Sequence, residues 1–210
     1  MLASSTLALP WSNRRAWLAL ALAGTAGGAA LLAHPWLRPA TGVGLPEDDV
    51  CVVAPPLPHD PASGLAPTAA RAIPPQARCP VCGMFPARAP DWAAQLIFDG
   101  GDAHFFDSPL SLLQYLHDMP RYSPGRAPGS VAALYVTDAG PQRHGWIDAR
   151  SAWYVHGSDA RGPMRAGNLP AFATRQAAQD FAARRGGQAL AFDEVDARLL
   201  ATLAVPVHRH

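Results

Sequence analysis

The chain has 210 residues, and 17 basic residues against 16 acidic ones leave a formal charge of +1. That balance excludes a strong field directed at nucleic acid or at anionic membranes, and the length leaves room for one or two small domains. Arginine carries all of the basic charge outside histidine, and charged residues are only 16% of the chain, scarce in its first half, so the core is expected to use fewer than all of the residues.

The first element is a targeting segment. Arg14 and Arg15 precede the unbroken apolar run "AWLALALAGTAGGAALLA" at 16–33. Basic residues followed by such a run are shared by export signals and single membrane anchors. The positive-inside rule leaves the two arginines in the cytoplasm and the rest of the chain outside. Residues 1–34 are therefore expected to form a signal peptide or membrane anchor. Cys51 follows "EDDV" and not an apolar-then-small tetrapeptide, which argues against lipidation there.

Ten prolines fall between Pro35 and Pro75 with no helical period among them. Proline removes backbone donors and blocks helices, so 35–78 reads as an extended tether. The folded part is expected over 79–203, with 204–210 as a tail. "AAQLIFDG" (93–100) and "AHFFD" (103–107) are strand-like runs around Gly100-Gly101, a hairpin signal. Ser108 is a good N-cap, and Pro109 suits the first helical position. Leu112, Leu113 and Leu116 then recur with helical spacing. After the loop "PRYSPGRAPGS", "VAALYVTDA" (131–139) reads as a strand.

The second half repeats this outline. "HGWIDAR" (144–150) and "AWYVHGS" (152–158) read as strands, followed by the loop "DARGPMRAGNLP". Thr174 caps a helix that buries Ala177, Ala178, Phe181 and Ala182, and Gly186-Gly187 stops it. "QALAFDEV" (188–195) is the last strand, and "DARLLATLA" is at most a short helix. Phe106-Asp107-Ser108 matches Phe172-Ala173-Thr174 in kind and in place. The expected fold class is α+β, with two related β-β-α-β units forming one compact domain.

The chemistry concentrates in "ARCPVCGMFPAR" (77–88), which holds two of the three cysteines and one of the four methionines. A c-type haem needs histidine directly after the second cysteine, and Gly83 stands there. A structural zinc site needs four ligands, and Cys51 is the only other cysteine. A thioredoxin-like pair should open a helix, but Pro86 and Pro90 follow. A plain structural disulfide stays open, although so small a loop gains little from closure. None of these readings uses Met84. Gly83 allows a turn tight enough for Cys82 and Met84 to face one ion, and thiolate with thioether is a soft donor set suited to Cu(I). Met164, in the glycine- and proline-flanked "GPMRAG" loop, is the candidate third ligand. Cys79 and His104 are secondary candidates; His104 lies in an alternating strand, where a satisfied surface or edge residue is the simpler reading. His144, His156, His208 and His210 complete the histidines considered.

"CPVCGM", then "HFFDSPLSLLQYL", then "GPM" leading into "LPAFATRQAAQDFAARRGG", resemble the NosL family, the accessory copper proteins of nitrous oxide reductase maturation. The resemblance covers about 79–196. It implies an extracytoplasmic Cu(I) chaperone that is not an enzyme, built from two homologous β/α halves and similar in fold to the organomercurial lyases. It also implies that Cys82 and Met84 stand at the family's C-G-M and Met164 at its later loop methionine. Its partners would be a copper donor and a copper-receiving protein, by resemblance nitrous oxide reductase or its assembly machinery. Its place would be the periplasmic side of the inner membrane, anchored or released after cleavage. Two departures stand out: the missing lipobox, and Arg165 where the family's loop often has glycine after the methionine. Other classes remain: a thiol redox or mercury-handling protein using Cys79 and Cys82, or a tethered binding domain with a structural disulfide or zinc knuckle.

Overall fold

A computed structural model describes residues 54–141, 145–163 and 168–203. The apolar segment 16–33, the first part of the expected tether with Cys51, and His144, Met164, His208 and His210 lie outside the described residues. Among the described residues, no helix is long and apolar enough to cross a membrane.

Strand β1 (Ala94–Phe98) and strand β2 (Ala103–Phe106) form the expected antiparallel hairpin, Ala94 opposite Phe106 and Leu96 opposite His104. Helix α1 (Pro109–His117) follows at once. The Ser108 hydroxyl accepts from the Ser111 N–H at 3.3 Å, and Pro109 occupies the first turn, where its missing donor costs nothing. A single-turn helix α2 (Met119–Tyr122) leads to strand β3 (Val131–Thr137), which pairs antiparallel with β1. Strand β4 (Trp146–Asp148) then pairs antiparallel with β3, so the first sheet runs β2-β1-β3-β4.

A second sheet begins with strand β5 (Trp153–His156). The two-residue strand β6 (Ala171–Phe172) and strand β7 (Gln188–Ala191) flank it, in the order β6-β5-β7. Between them runs helix α3 (Arg175–Arg185), capped by the Thr174 hydroxyl and ended at Gly186 with φ +75°. Helix α4 (Ala197–Leu203) closes the described chain. The sheets meet where Ala139 N–H donates to the Ala171 carbonyl at 2.8 Å, and Asp138 Oδ1 accepts from Ala173 N–H at 3.3 Å.

Two expectations are corrected here. The run at 144–150 does not pair with 152–158; its strand extends the first sheet, because Trp146–Asp148 finds the free edge of β3. The strand that accompanies β5 is instead the short Ala171–Phe172, which the sequence reading takes as part of the helix entry. The tether expected over 35–78 is described from residue 54, and this part lies against the first sheet. Leu57 and Ala103 exchange backbone hydrogen bonds at 2.8 Å each, covering the open edge of β2. Gln95 and the Arg71 backbone exchange two more, each 3.1 Å. Ile73 and Leu57 pack on Ile97, Ala103 and Phe105. Lack of helical period identifies an extended chain; it does not reveal that the chain has a surface to lie on.

The main core joins Leu96, Phe98 and Phe106 of the first sheet to Leu112, Leu113 and Tyr115 of α1. It continues through Leu134 and Val136 to Tyr154, Leu169 and Leu190 of the second half. Cys79 is part of this core, with Val81 and Cys82 packed against it. The sulfur-rich loop is therefore anchored on the main core.

Candidate metal centre

The loop 79–84 closes on itself. Cys79 N–H donates to the Met84 carbonyl and Gly83 N–H donates to the Cys79 carbonyl, both at 2.8 Å. Gly83 has φ +73°, a conformation that side-chain-bearing residues rarely adopt. The turn expected at this glycine is thus the hinge that brings the loop back over its own start. Arg78 buttresses it, donating to the Gly83 carbonyl at 3.3 Å while its guanidinium lies 4.3 Å from the Phe85 ring centroid.

The loop sorts its sulfur by depth. Cys79 is 1% exposed and Cys82 is half-buried. Met84 is 38% exposed, one of two large apolar side chains exposed among the described residues. A methionine that fills a core gap is covered; this one is not. Both described cysteines are free thiols.

A third group meets them. The Cys79 and Cys82 sulfurs and a carboxylate oxygen of Asp107 all lie within 4.8 Å of one another. Asp107 sits between the end of β2 and the Ser108 cap, so the hairpin and the helix together fix its place. Its Oδ1 accepts from the Ser111 hydroxyl at 2.7 Å, while its buried Oδ2 has no hydrogen-bond partner. In the sequence Asp107 stands out only as the middle residue of the repeated tripeptide, with no ligand spacing to mark it. The available signal was a lone acidic residue placed directly before a helix cap in an otherwise apolar strand ending.

The two thiols are coupled by a hydrogen bond and shift in opposite directions. Burial pushes Cys79 up, but the hydrogen bond from the Cys82 thiol, helped by backbone hydrogen bonds from Asp107 and Cys82, outweighs it and leaves Cys79 below the ordinary thiol range. Cys82 is driven up, first by donating that hydrogen bond, then by burial and by the charge of Cys79. Of the two, the inner Cys79 thus loses its proton more readily and the outer Cys82 holds its proton more tightly. Tyr122, stacked on Tyr115 with ring centroids 5.8 Å apart, forms a neighbouring wall.

His104 belongs to a different environment. It is 2% exposed, with edge contacts to Phe98, Phe106 and Tyr115. Its Nε2 pairs with the Ser123 hydroxyl at 3.2 Å, and that hydroxyl accepts from Tyr115. Burial, aided by the charge of Arg126, lowers its pKa to about 4. It is not one of the cluster around the two thiols. The surface or edge position expected for it is corrected: α1 and the segment after it cover the face of β2 on which it stands. The structure thus brings Cys79, Cys82 and Asp107 together, leaves Met84 at the rim and holds His104 apart; Met164 lies outside the described residues.

A family model described as NosL matches residues 70–200. The copper-binding lipoprotein NosL of Stutzerimonas stutzeri is 34% identical over 136 residues, 62% of this chain and 67% of the relative. The protein of the same description from Achromobacter cycloclastes is 31% identical over 129 residues, 57% of this chain and 64% of the relative. The chain thus spans about two thirds of the length of these curated relatives. The crystal structure of the copper chaperone NosL from Shewanella denitrificans matches with a TM-score of 0.51 at 26% identity, covering 63% of this chain and 99% of that one. The mixed helix-and-sheet architecture is common to both.

Proposed function

Because the chain belongs to the NosL family, whose model spans more than half of its length, we propose that it binds Cu(I) outside the cytoplasm and delivers it to another protein. The observation that carries this reading is the exposed Met84 beside the half-buried Cys82, on either side of a glycine turn with positive φ. Soft sulfur donors at a rim suit an ion that must be held and then given up. The relatives' descriptions as copper-binding proteins and as a copper chaperone point the same way.

In this reading Cys82 and Met84 are ligands, and Met164 is the third. Cys79 serves the site from beneath, as the partner of Cys82 in a disulfide that reduction must open before copper enters. No chemical reaction is catalysed. The receiving protein is nitrous oxide reductase or its assembly machinery, a choice that rests on the family resemblance. The apolar run at 16–33 after Arg14 and Arg15 supports a location on the periplasmic side of the inner membrane, anchored or released. Residues 54–78 of the tether lie against the first sheet and count with the folded unit. The two halves are related units: β1-β2-α1-β3 with sheet order β2-β1-β3 is repeated by β5-β6-α3-β7 with order β6-β5-β7, which supports an ancestral duplication.

The test is anaerobic competition for Cu(I) against a chromophoric chelator, with metal analysis of the purified protein. Copper near one per chain is expected. Cys82→Ser replaces a soft thiolate with a hard neutral donor and should abolish high-affinity binding, while Cys79→Ser should do less. Met164→Leu keeps volume and should lower affinity about tenfold, on the order of 1.4 kcal/mol. Met119→Leu is the control, since Met119 is buried in the core. Cys82→Ser protein that still retains Cu(I) would overturn the assignment; no copper together with a reversible disulfide would favour redox chemistry.

A further inference from the structure

We propose that Cys79, Cys82 and Asp107 form an inner binding position for a divalent thiophilic cation, represented by Zn(II), with a donor set different from that of the Cu(I) position. It goes beyond the copper reading and stands without it; Cys82 is common to both, so the two ions exclude one another.

The first support is geometric. The three donor atoms already lie within 4.8 Å of one another. Bonds of about 2.3 Å to sulfur and 2.0–2.2 Å to oxygen put the ligands of a tetrahedral zinc roughly 3.5–3.8 Å apart. Small side-chain rotations close that difference, and the loop and helix entry that carry the donors need not move.

The second support is the orphan oxygen. Asp107 is 1% exposed, and its Oδ2 is buried without a partner although Oδ1 is satisfied by Ser111. A buried carboxylate oxygen facing no donor is unfavourable. A cation between it and the two sulfurs answers that need, and Asp107 would then be held as ligating carboxylates are, through a hydrogen bond to its other oxygen.

The third support is the donor chemistry. Two thiolates and a carboxylate carry three negative charges. A monovalent soft ion neutralises little of this and prefers thioether to carboxylate, whereas a borderline divalent ion takes sulfur and oxygen together. The remaining tetrahedral position faces the Cys82 side, since Cys79 and Asp107 are both sealed from solvent. In the second half the residue matching Asp107 is Ala173, so the oxygen donor exists only in the half that carries the cysteines.

The experiment uses reduced protein under anaerobic conditions, with Zn(II) competed against a chromophoric zinc chelator and Cu(I) measured in parallel. Wild-type protein should bind one Zn(II). Asp107→Asn, which keeps an oxygen for Ser111, should lower Zn(II) affinity at least tenfold and leave Cu(I) affinity within twofold. Met84→Leu should do the reverse. Absence of Zn(II) binding, or an unchanged affinity in Asp107→Asn, overturns the inner position. An equal loss of both ions in Asp107→Asn does so too, because Asp107 would then merely support the cysteine loop. Cobalt(II) bound to wild-type protein gives a reading free of mutation: intense tetrahedral bands with sulfur-to-metal charge transfer are expected, and a weak octahedral spectrum overturns the proposal. Failure of copper binding alone leaves these zinc outcomes intact and counts only against the chaperone reading.

Discussion

Gly83 shows how one residue sets the chemistry of the loop. Its φ of +73° lets the chain reverse between two sulfur-bearing residues, and the space beside it is open, with no atom within 4 Å of where an alanine Cβ would stand. Gly83→Ala therefore meets no clash and is penalised only through the backbone, by about 1–2 kcal/mol for a left-handed alanine. Thermal unfolding should record a fall of several degrees, and Cu(I) affinity should drop as Met84 swings relative to Cys82. An alanine variant with wild-type melting and affinity would mean that the loop does not depend on this conformation. The role of this glycine was legible in the sequence because turn chemistry is local. The pairing of the two cysteines with Asp107 was not, since it depends on where the β2–α1 junction docks, 25 residues after Cys82.

At the scale of elements, the β2–α1 passage does most of the positioning. Its strand carries His104, its end carries Asp107, and the Ser108 cap fixes the helix that covers them. The cap and the helix period could be read directly. The burial of His104 could not, because alternation along a strand does not say whether the second face will also be covered. That burial has a consequence for pH. With a folded pKa of about 4, against an unfolded value near 6.5, His104 stays neutral in the native state while the unfolded chain takes up a proton. Its contribution is thus present in full above pH 6.5 and is lost as pH falls toward 4, by up to roughly 3 kcal/mol. Denaturant titrations of wild type and His104→Gln across pH 7 to 4 should give a flatter profile for the variant. Parallel profiles would show that another group governs acid sensitivity.

At the scale of the molecule, two sheets share one core, and the Pro-rich strap from residue 54 seals the outer face of the first. Sequence periods identified most of the strands and both principal helices, yet they could not assign Trp146–Asp148 to the first sheet or dock the strap. Both depend on partners distant in the chain. A protein beginning at Ala77 should be less stable than one beginning at Ala54, because Ile97 and Phe105 lose the cover of Leu57 and Ile73 and the β2 edge is opened. Loss of two partly buried aliphatic contacts suggests roughly 2–4 kcal/mol, readable from the midpoint of urea unfolding; equal midpoints would make the strap a mere spacer.

The central claim is that sulfur from the glycine turn holds Cu(I) together with a methionine of the second half. Copper K-edge X-ray absorption on Cu(I)-loaded protein tests it most directly. A first shell dominated by sulfur is expected, with one sulfur neighbour lost in Met84→Leu and one in Met164→Leu. A shell of nitrogen and oxygen, unchanged in both variants, would contradict it.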